Sequence, residues 1–290
     1  MTVPHVFLTR YNLPSPGVES LIRAQEGWLR ERTELFERFT VPSVRAQEGD
    51  GIHWIVFLDP ESPDWLKQRM TSLQAEGLLD PVYTESVEGD DLAREVRRVV
   101  GDADAVSTSN LDNDDGLARD FVARLRQADV PAPRSALYVV NGLIRTSDRL
   151  YLRRDDDNAF VAVREPLDDG FRSCWADWHN RLHLHMPVVE IPGAPGWLQV
   201  VHSKNVSNRV RGRLVSPARY RALFGGRLSG VRNPSRIELL RENGVGAPAR
   251  AVRDGVREGG RLVLVRLLGK EGVNKLKFAA AGLVRRVRGH

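Results

Sequence analysis

One cysteine, Cys174, stands in 290 residues, which excludes an internal disulfide and any zinc site built on cysteine pairs. That scarcity fits a reducing compartment, and beside Trp175 the thiol reads as a small core side chain rather than a nucleophile. No stretch approaches the roughly 20 apolar residues of a membrane-spanning helix, so any membrane contact is expected to be peripheral. Met1-Thr2-Val3-Pro4-His5 sets no basic segment before a long apolar run, and no signal peptide is expected. A Gly-x-x-x-x-Gly-Lys phosphate loop is missing, and Gly244-Val245-Gly246 follows no strand, so the common glycine-rich nucleotide cradles are absent. There is no repeat and no low-complexity run.

What is there is an ordinary globular composition, 41% hydrophobic and 28% charged, which sets disorder aside. The length suffices for one large domain or one domain with an appendage. Charge is divided unevenly. Residues 1–208 hold 23 Lys and Arg against 33 Asp and Glu, a net −10, whereas 209–290 hold 20 against 5, a net +15. We therefore place a boundary at 208/209, between an acidic body (1–208) and a basic, largely helical extension (209–290).

Strand and helix signals alternate through the first 128 residues. His5 to Asn12 reads as a first strand, closed by Pro14, Pro16 and Gly17. The apolar positions Val18, Leu21, Ile22, Trp28, Leu29, Leu35, Phe36 and Phe39 predict a long helix stopping before Pro42. His53 to Asp59 is a continuous apolar run, as a strand buried on both faces requires. Further helices are predicted over 63–76 and 90–100, and strands over 81–87 and 105–111. Four β-α units imply an α/β fold with a mainly parallel central sheet. After Pro131 and Pro133 the pattern shifts to short alternating strands, over 136–144, 149–153 and 159–164, then 187–191 and 197–202.

The stretch that organises the chain is Asn110-Leu111-Asp112-Asn113-Asp114-Asp115-Gly116, which ends a predicted strand and runs into a helix from Leu117. Three carboxylates within four positions repel one another unless a cation or water compensates them. Oxygen ligands suit Mg²⁺ or Mn²⁺, and the spacing lacks the twelve-residue rhythm of a calcium loop. The plainer alternative is a solvated turn that caps the following helix. Its place at a strand's carboxyl end, where open sheets bind ligands, favours the site.

Other residues could join it. Arg10 and Asn12 end the first strand on the same edge. His202, after the apolar run 198–201, could add an imidazole to the two carboxylates. Glu165 and Asp177 are the candidate general bases for activating an acceptor hydroxyl. His179, His183 and His185 form a dense group, but Asn180 stands where a metalloprotease helix needs Glu, which argues against zinc.

Taken in order, Phe7 to Asn12, Leu35-Phe36 with Thr40 to Ser43, Trp54 to Asp59, Leu111 to Asp115 and His202 to Asn208 resemble the rhamnosyltransferase family of bacterial GT-A-type glycosyltransferases. The resemblance implies a GT-A-like nucleotide-binding sandwich, a nucleotide-diphosphate sugar donor and a glycan or lipid-linked acceptor in cell-envelope or polysaccharide synthesis. It implies that Asp112, Asp114 and His202 hold Mn²⁺ or Mg²⁺, and that Arg10, Asn12, Asp59, Asn110 and Asp112 shape the nucleotide-sugar pocket. A metal-dependent phosphoesterase and a non-catalytic basic surface-binding module are the alternatives. Apolar and cationic residues interleave over 262–286, so residues 250–290 are expected to meet an anionic cytoplasmic membrane surface. A solvated helical subdomain and, least favoured, nucleic acid are the competing readings of that tail.

Overall fold

The computed structural model describes residues 2–14, 27–202, 210–248 and 250. The chain divides into two compact units, Met1–Pro234 and Ser235–His290. In the first, β1 (His5–Arg10) is followed by α1 (Trp28–Leu35) and α2 (Val41–Arg45), then β2 (Ile52–Leu58), α3 (Asp64–Ala75), β3 (Asp80–Tyr83), α4 (Gly89–Val100) and β4 (Ala105–Asn110). After the acidic turn come β5 (Gly116–Leu117), α5 (Phe121–Gln127), β6 (Ser135–Val139), β7 (Asn141–Arg145), β8 (Leu150–Arg154) and β9 (Ala162–Pro166). A 3₁₀ turn, His179–Leu184, precedes β10 (Val188–Ile191), β11 (Trp197–Val200), β12 (Arg213–Leu214) and α6 (Arg221–Phe224).

The α/β sandwich with a mainly parallel central sheet is as expected. Seven strands run in the order β10-β6-β9-β4-β1-β2-β3. β1 pairs in parallel with both β2 and β4, and β2 with β3, while β9 is antiparallel to β4 and β6. Central strands buried on both faces need apolar side chains throughout, and Val6 to Leu8 and Trp54 to Leu58 are all sealed from solvent. The amphipathic α4 covers one face with Leu92 and Val96, which join Val6, Leu8, Ile55, Phe57 and Val106 in a core cluster. A second sheet, β12-β8-β7-β11-β5, packs its own cluster of Phe39, Leu143, Leu198, Phe224 and Leu228.

Four sequence expectations shift. The helix predicted to end before Pro42 instead passes through a five-residue π-helical turn, Phe36–Thr40, into α2. Pro42 thus falls in a first turn, where its missing N–H would be unpaired anyway. The part of that prediction from 15 to 26 lies outside the described residues. The helix expected from Leu117 starts at Phe121, because Gly116 and Leu117 pair antiparallel with β11. The strand expected over 136–144 breaks at Val140, so that β6 serves the large sheet and β7 the small one.

The boundary falls after Pro234 rather than at 208/209. β12 pairs with β8, and Tyr220, Phe224, Leu228 and Val231 enter the core, so the charge change at 209 precedes the structural one. The second unit opens with α7 (Arg236–Arg241), capped by a reciprocal Ser235 and Glu238 box. Among the described residues no helix is long and apolar enough to cross a membrane.

Candidate active site

The parallel strands deliver their carboxyl ends to one edge. Arg10 closes β1, Asp59 follows β2, and Asp112 lies two residues past the end of β4. Local bonds stitch these ends together. Leu111 N–H donates to Leu8 O at 3.0 Å and Thr9 Oγ1 to Leu111 O at 2.7 Å, while the Asn113 amide donates to Tyr11 O at 2.6 Å. Asn113 is therefore a buried clip, and it fixes the turn that presents the carboxylates on either side of it.

Each carboxylate of the turn has a different surrounding. Asp115 is buried and accepts from Val200 N–H at 2.8 Å, while its carbonyl accepts from Thr40 Oγ1, so it ties β11 and the π-helical turn to the motif. Burial, then the charges of Asp114 and Asp112, push its carboxyl well above the ordinary range. Asp114 is also buried but faces two partners, the Arg32 guanidinium and His202 Nε2, the latter at 3.0 Å from Oδ2. Burial alone would raise Asp114; the hydrogen bond from His202 and the charge of Arg32 outweigh it and leave the carboxyl lowered.

Asp112 is solvent-exposed, yet closely surrounded by protein. That crowding, then the adjacent Asp114 charge, raises it. The turn thus offers one open carboxylate beside one clamped by Arg32 and His202.

Around Asp112 the wall comes from the segment after β9. Trp175 Nε1 donates to Asn110 Oδ1 at 2.9 Å, and the Arg10 guanidinium lies 4.0 Å from the Trp175 ring centroid, a cation–π contact. Asn110 Nδ2 donates to Ala159 O at 3.0 Å and reaches Asp112 Oδ1 at 3.4 Å. His179 is near enough to act electrostatically on Asp112. On the other flank Asn12 accepts from Asp59 N–H at 3.2 Å and donates to Ser62 Oγ at 3.0 Å, and Asp59 Oδ1 accepts from Glu61 N–H at 2.8 Å. Those bonds fix the loop after β2.

The two candidate bases part company. Glu165 is fully buried, and β9 carries it level with Val106, toward the start of β4 and away from Asp112. It accepts from Arg134 Nε at 2.8 Å, Arg172 N–H at 3.1 Å and Ser173 N–H at 2.6 Å. Ser173 has φ 65°, the one described non-glycine residue in the left-handed region, a conformation costing roughly 1–2 kcal/mol. Glu165 is thus a clamp that holds this kink, and with it the segment carrying Trp175 and Asp177. Asp177 lies on that segment and accepts from His185 Nε2 at 2.8 Å and Trp178 N–H at 2.7 Å, with Arg181 at 3.6 Å. These bonds, that of His185 first, hold its carboxyl below the ordinary value. Cys174 is buried and pushed up to about 12, chiefly by burial, as an inert core thiol should be.

Sequence reasoning pointed to the Trp175–His179 segment as a cleft lining, but missed Arg32 and the clamp of Glu165. Arg32 lies on α1, some eighty positions before Asp114, and only the fold brings the two together. Among the described residues no group of three or more His, Cys, Asp or Glu side chains is arranged to hold a metal ion unaided. A hard cation bound by one or two carboxylates and completed by substrate phosphates, the usual Mg²⁺ arrangement, is compatible with that.

A family model described as "Putative rhamnosyl transferase" matches residues 4–214. No curated protein matches the sequence. Among solved structures, S. aureus TarS 1–349 in complex with UDP-GlcNAc superposes with a TM-score of 0.42 at 10% identity, over 72% of this chain and 62% of that one. The inositol-1-phosphate CTP transferase from T. maritima gives 0.33 at 11% identity, over 80% and 99% respectively. This chain spans about 62% of the TarS fragment it is compared with.

Proposed function

This chain belongs to the rhamnosyl transferase family whose model covers residues 4–214, and from that premise we propose that it is a nucleotide-sugar-dependent glycosyltransferase acting on an acceptor hydroxyl. The observation that carries the reading is the open carboxylate of Asp112 beside the cation-clamped Asp114, at the strand edge shared with Arg10. Asp112 and Asp114, with His202, would hold Mn²⁺ or Mg²⁺, which supplies charge neutralisation to a departing diphosphate. The residues fit such an ion, since the Asp112 carboxylate is exposed and stands beside the Asp114 charge at the strand edge.

The chain's own groups do the rest. Arg10, spread on Trp175, presents a planar cation for phosphate or base. Asn12 and Asp59 set the loop that borders the nucleotide, and Asn110 joins the floor to Asp112. Asp177, kept ionised by His185, takes the proton of the acceptor hydroxyl as its oxygen bonds to the anomeric carbon and the bond to the diphosphate breaks, with inversion. Rhamnose is the sugar the family description names, and a cell-envelope or polysaccharide glycan is the acceptor class.

Calorimetric titration with UDP, GDP, dTDP and their sugar conjugates, with and without Mn²⁺, tests the site. Metal-dependent binding of one nucleotide, lost in Asp112→Asn, is expected. Equal binding by that variant would remove Asp112 from the donor site.

A further inference from the structure

A cleft of about 640 Å³, lined by none of the acidic residues of the turn, lies between α2 and α6, walled by Pro42, Leu223 and Phe224 and bordered by Arg38, Arg119 and Arg227. Its one acidic residue, Glu48, is paired with Arg119, so the charges of Arg38 and Arg227 stand in excess. No described carboxylate pairs with either of them. Arg227 is 95% buried; its two terminal nitrogens donate to Pro42 O and Leu223 O, and its Nε has no partner.

A third cation stands near Arg38. Arg145 is buried, lies 4.9 Å from the Phe39 ring centroid that Arg38 approaches to 5.2 Å, and also has an unpartnered Nε. Both guanidinium groups come within 3.8 Å of one point, the Cβ position of Gly230. Burial lowers Arg227 and Arg145 to about 10, which still leaves both charged at neutral pH. The Arg38 charge adds to the burial that lowers Arg145, so an anion beside Arg38 would relieve a like-charge repulsion.

We infer that this cleft binds a phosphate ester, its phosphate held at Arg38 and Arg227 and its organic body against Pro42, Leu223 and Phe224. The excess charge of two matches the −1.5 to −2 of a phosphomonoester at about neutral pH, and guanidinium groups are suited to phosphate oxygens. The volume falls within the roughly 300–1,000 Å³ of small-molecule sites, far more than a bare ion needs. The inference does not depend on the donor site. A lipid headgroup and a soluble phosphate ester share this chemistry.

The test uses the full chain in EDTA, titrated with inorganic pyrophosphate and, separately, with phosphatidylcholine vesicles containing phosphatidic acid. Wild type, Arg38→Ala and Asp112→Asn are compared, each with its thermal unfolding recorded. Arg38 is exposed, so Arg38→Ala should fold unchanged. Loss of about tenfold or more in its affinity, with Asp112→Asn binding as wild type, supports the site; loss toward pyrophosphate points to a soluble ester and loss toward vesicles to a headgroup. Equal binding by wild type and Arg38→Ala to both probes, no binding of either probe by wild type at millimolar concentration, or loss confined to Asp112→Asn would overturn it.

Discussion

Asp112 and Asp114 sit two positions apart with the same side chain, and the fold gives them opposite surroundings. One is open and raised, the other buried between Arg32 and His202 and lowered. The acidic run was legible as a site from its own spacing, because repulsion among near neighbours is a local fact. Arg32 was not, because it meets Asp114 only through α1. Glu165 illustrates the opposite error: a carboxylate on a predicted strand looked available, but three donors converge on it. Glu165→Gln should therefore behave as a stability variant, losing about 1–3 kcal/mol as one carboxylate oxygen is lost to the donors that converge on it, read by urea unfolding. A large fall in turnover with unchanged stability would restore it as a base.

His5 makes a second residue-scale prediction. It is fully buried, both ring nitrogens lack partners, and its pKa is lowered to about 3 by burial first and then by Arg126 and Arg164. The unfolded chain, with an ordinary value near 6.5, binds a proton that the folded chain refuses between those two values. Stability is thus fully present above about pH 6.5 and falls as pH drops toward 3. Relative to His5→Phe, wild type should lose about 2 kcal/mol between pH 6.5 and 5, measured by denaturant unfolding at each pH. Parallel pH profiles for the two proteins would contradict this.

At the scale of elements, β1, β2, α3, α4 and β4 follow the sequence closely, since burial on both faces or on one helical stripe leaves a plain periodic trace. The failures share a cause. The π-helical turn before Pro42, the break at Val140 and the pairing of β5 with β11 are each decided by a partner element far along the chain. The β7–β11 pair is a sensitive joint. A Cβ on Gly142 would lie 1.9 Å from the Trp197 ring, which stacks on Phe160 at 5.0 Å. β11 leads directly to His202. Gly142→Ala should cost about 1–3 kcal/mol or more through overpacking and weaken nucleotide binding as His202 shifts, measured by thermal unfolding and calorimetry. A variant with wild-type melting would show that Trp197 can move aside freely.

For the whole molecule, charge and fold divide at different places. The net charge turns basic after 208, but the first unit continues through Pro234, using β12 and α6 to complete its second core. The basic stretch 250–290, read from sequence as a contact with anionic lipid, lies almost wholly outside the described residues, and we retain peripheral membrane association as a proposal. The full chain should co-sediment with phosphatidylglycerol vesicles several-fold more than one ending at 249. Equal recovery of the two would remove the tail from that role.

The central claim is that the carboxyl-end edge of the large sheet transfers a sugar from a nucleotide donor. Its most direct test is release of nucleoside diphosphate from a panel of nucleotide sugars, dTDP-rhamnose included, with Mn²⁺ and candidate glycan acceptors, by wild type, Asp112→Asn and Asp177→Asn. The account predicts acceptor-dependent release with at least one donor, reduced about a hundredfold or more when either carboxylate is neutralised. Release that is indifferent to both substitutions, or rapid hydrolysis of simple phosphoesters without preference for a sugar nucleotide, would contradict it.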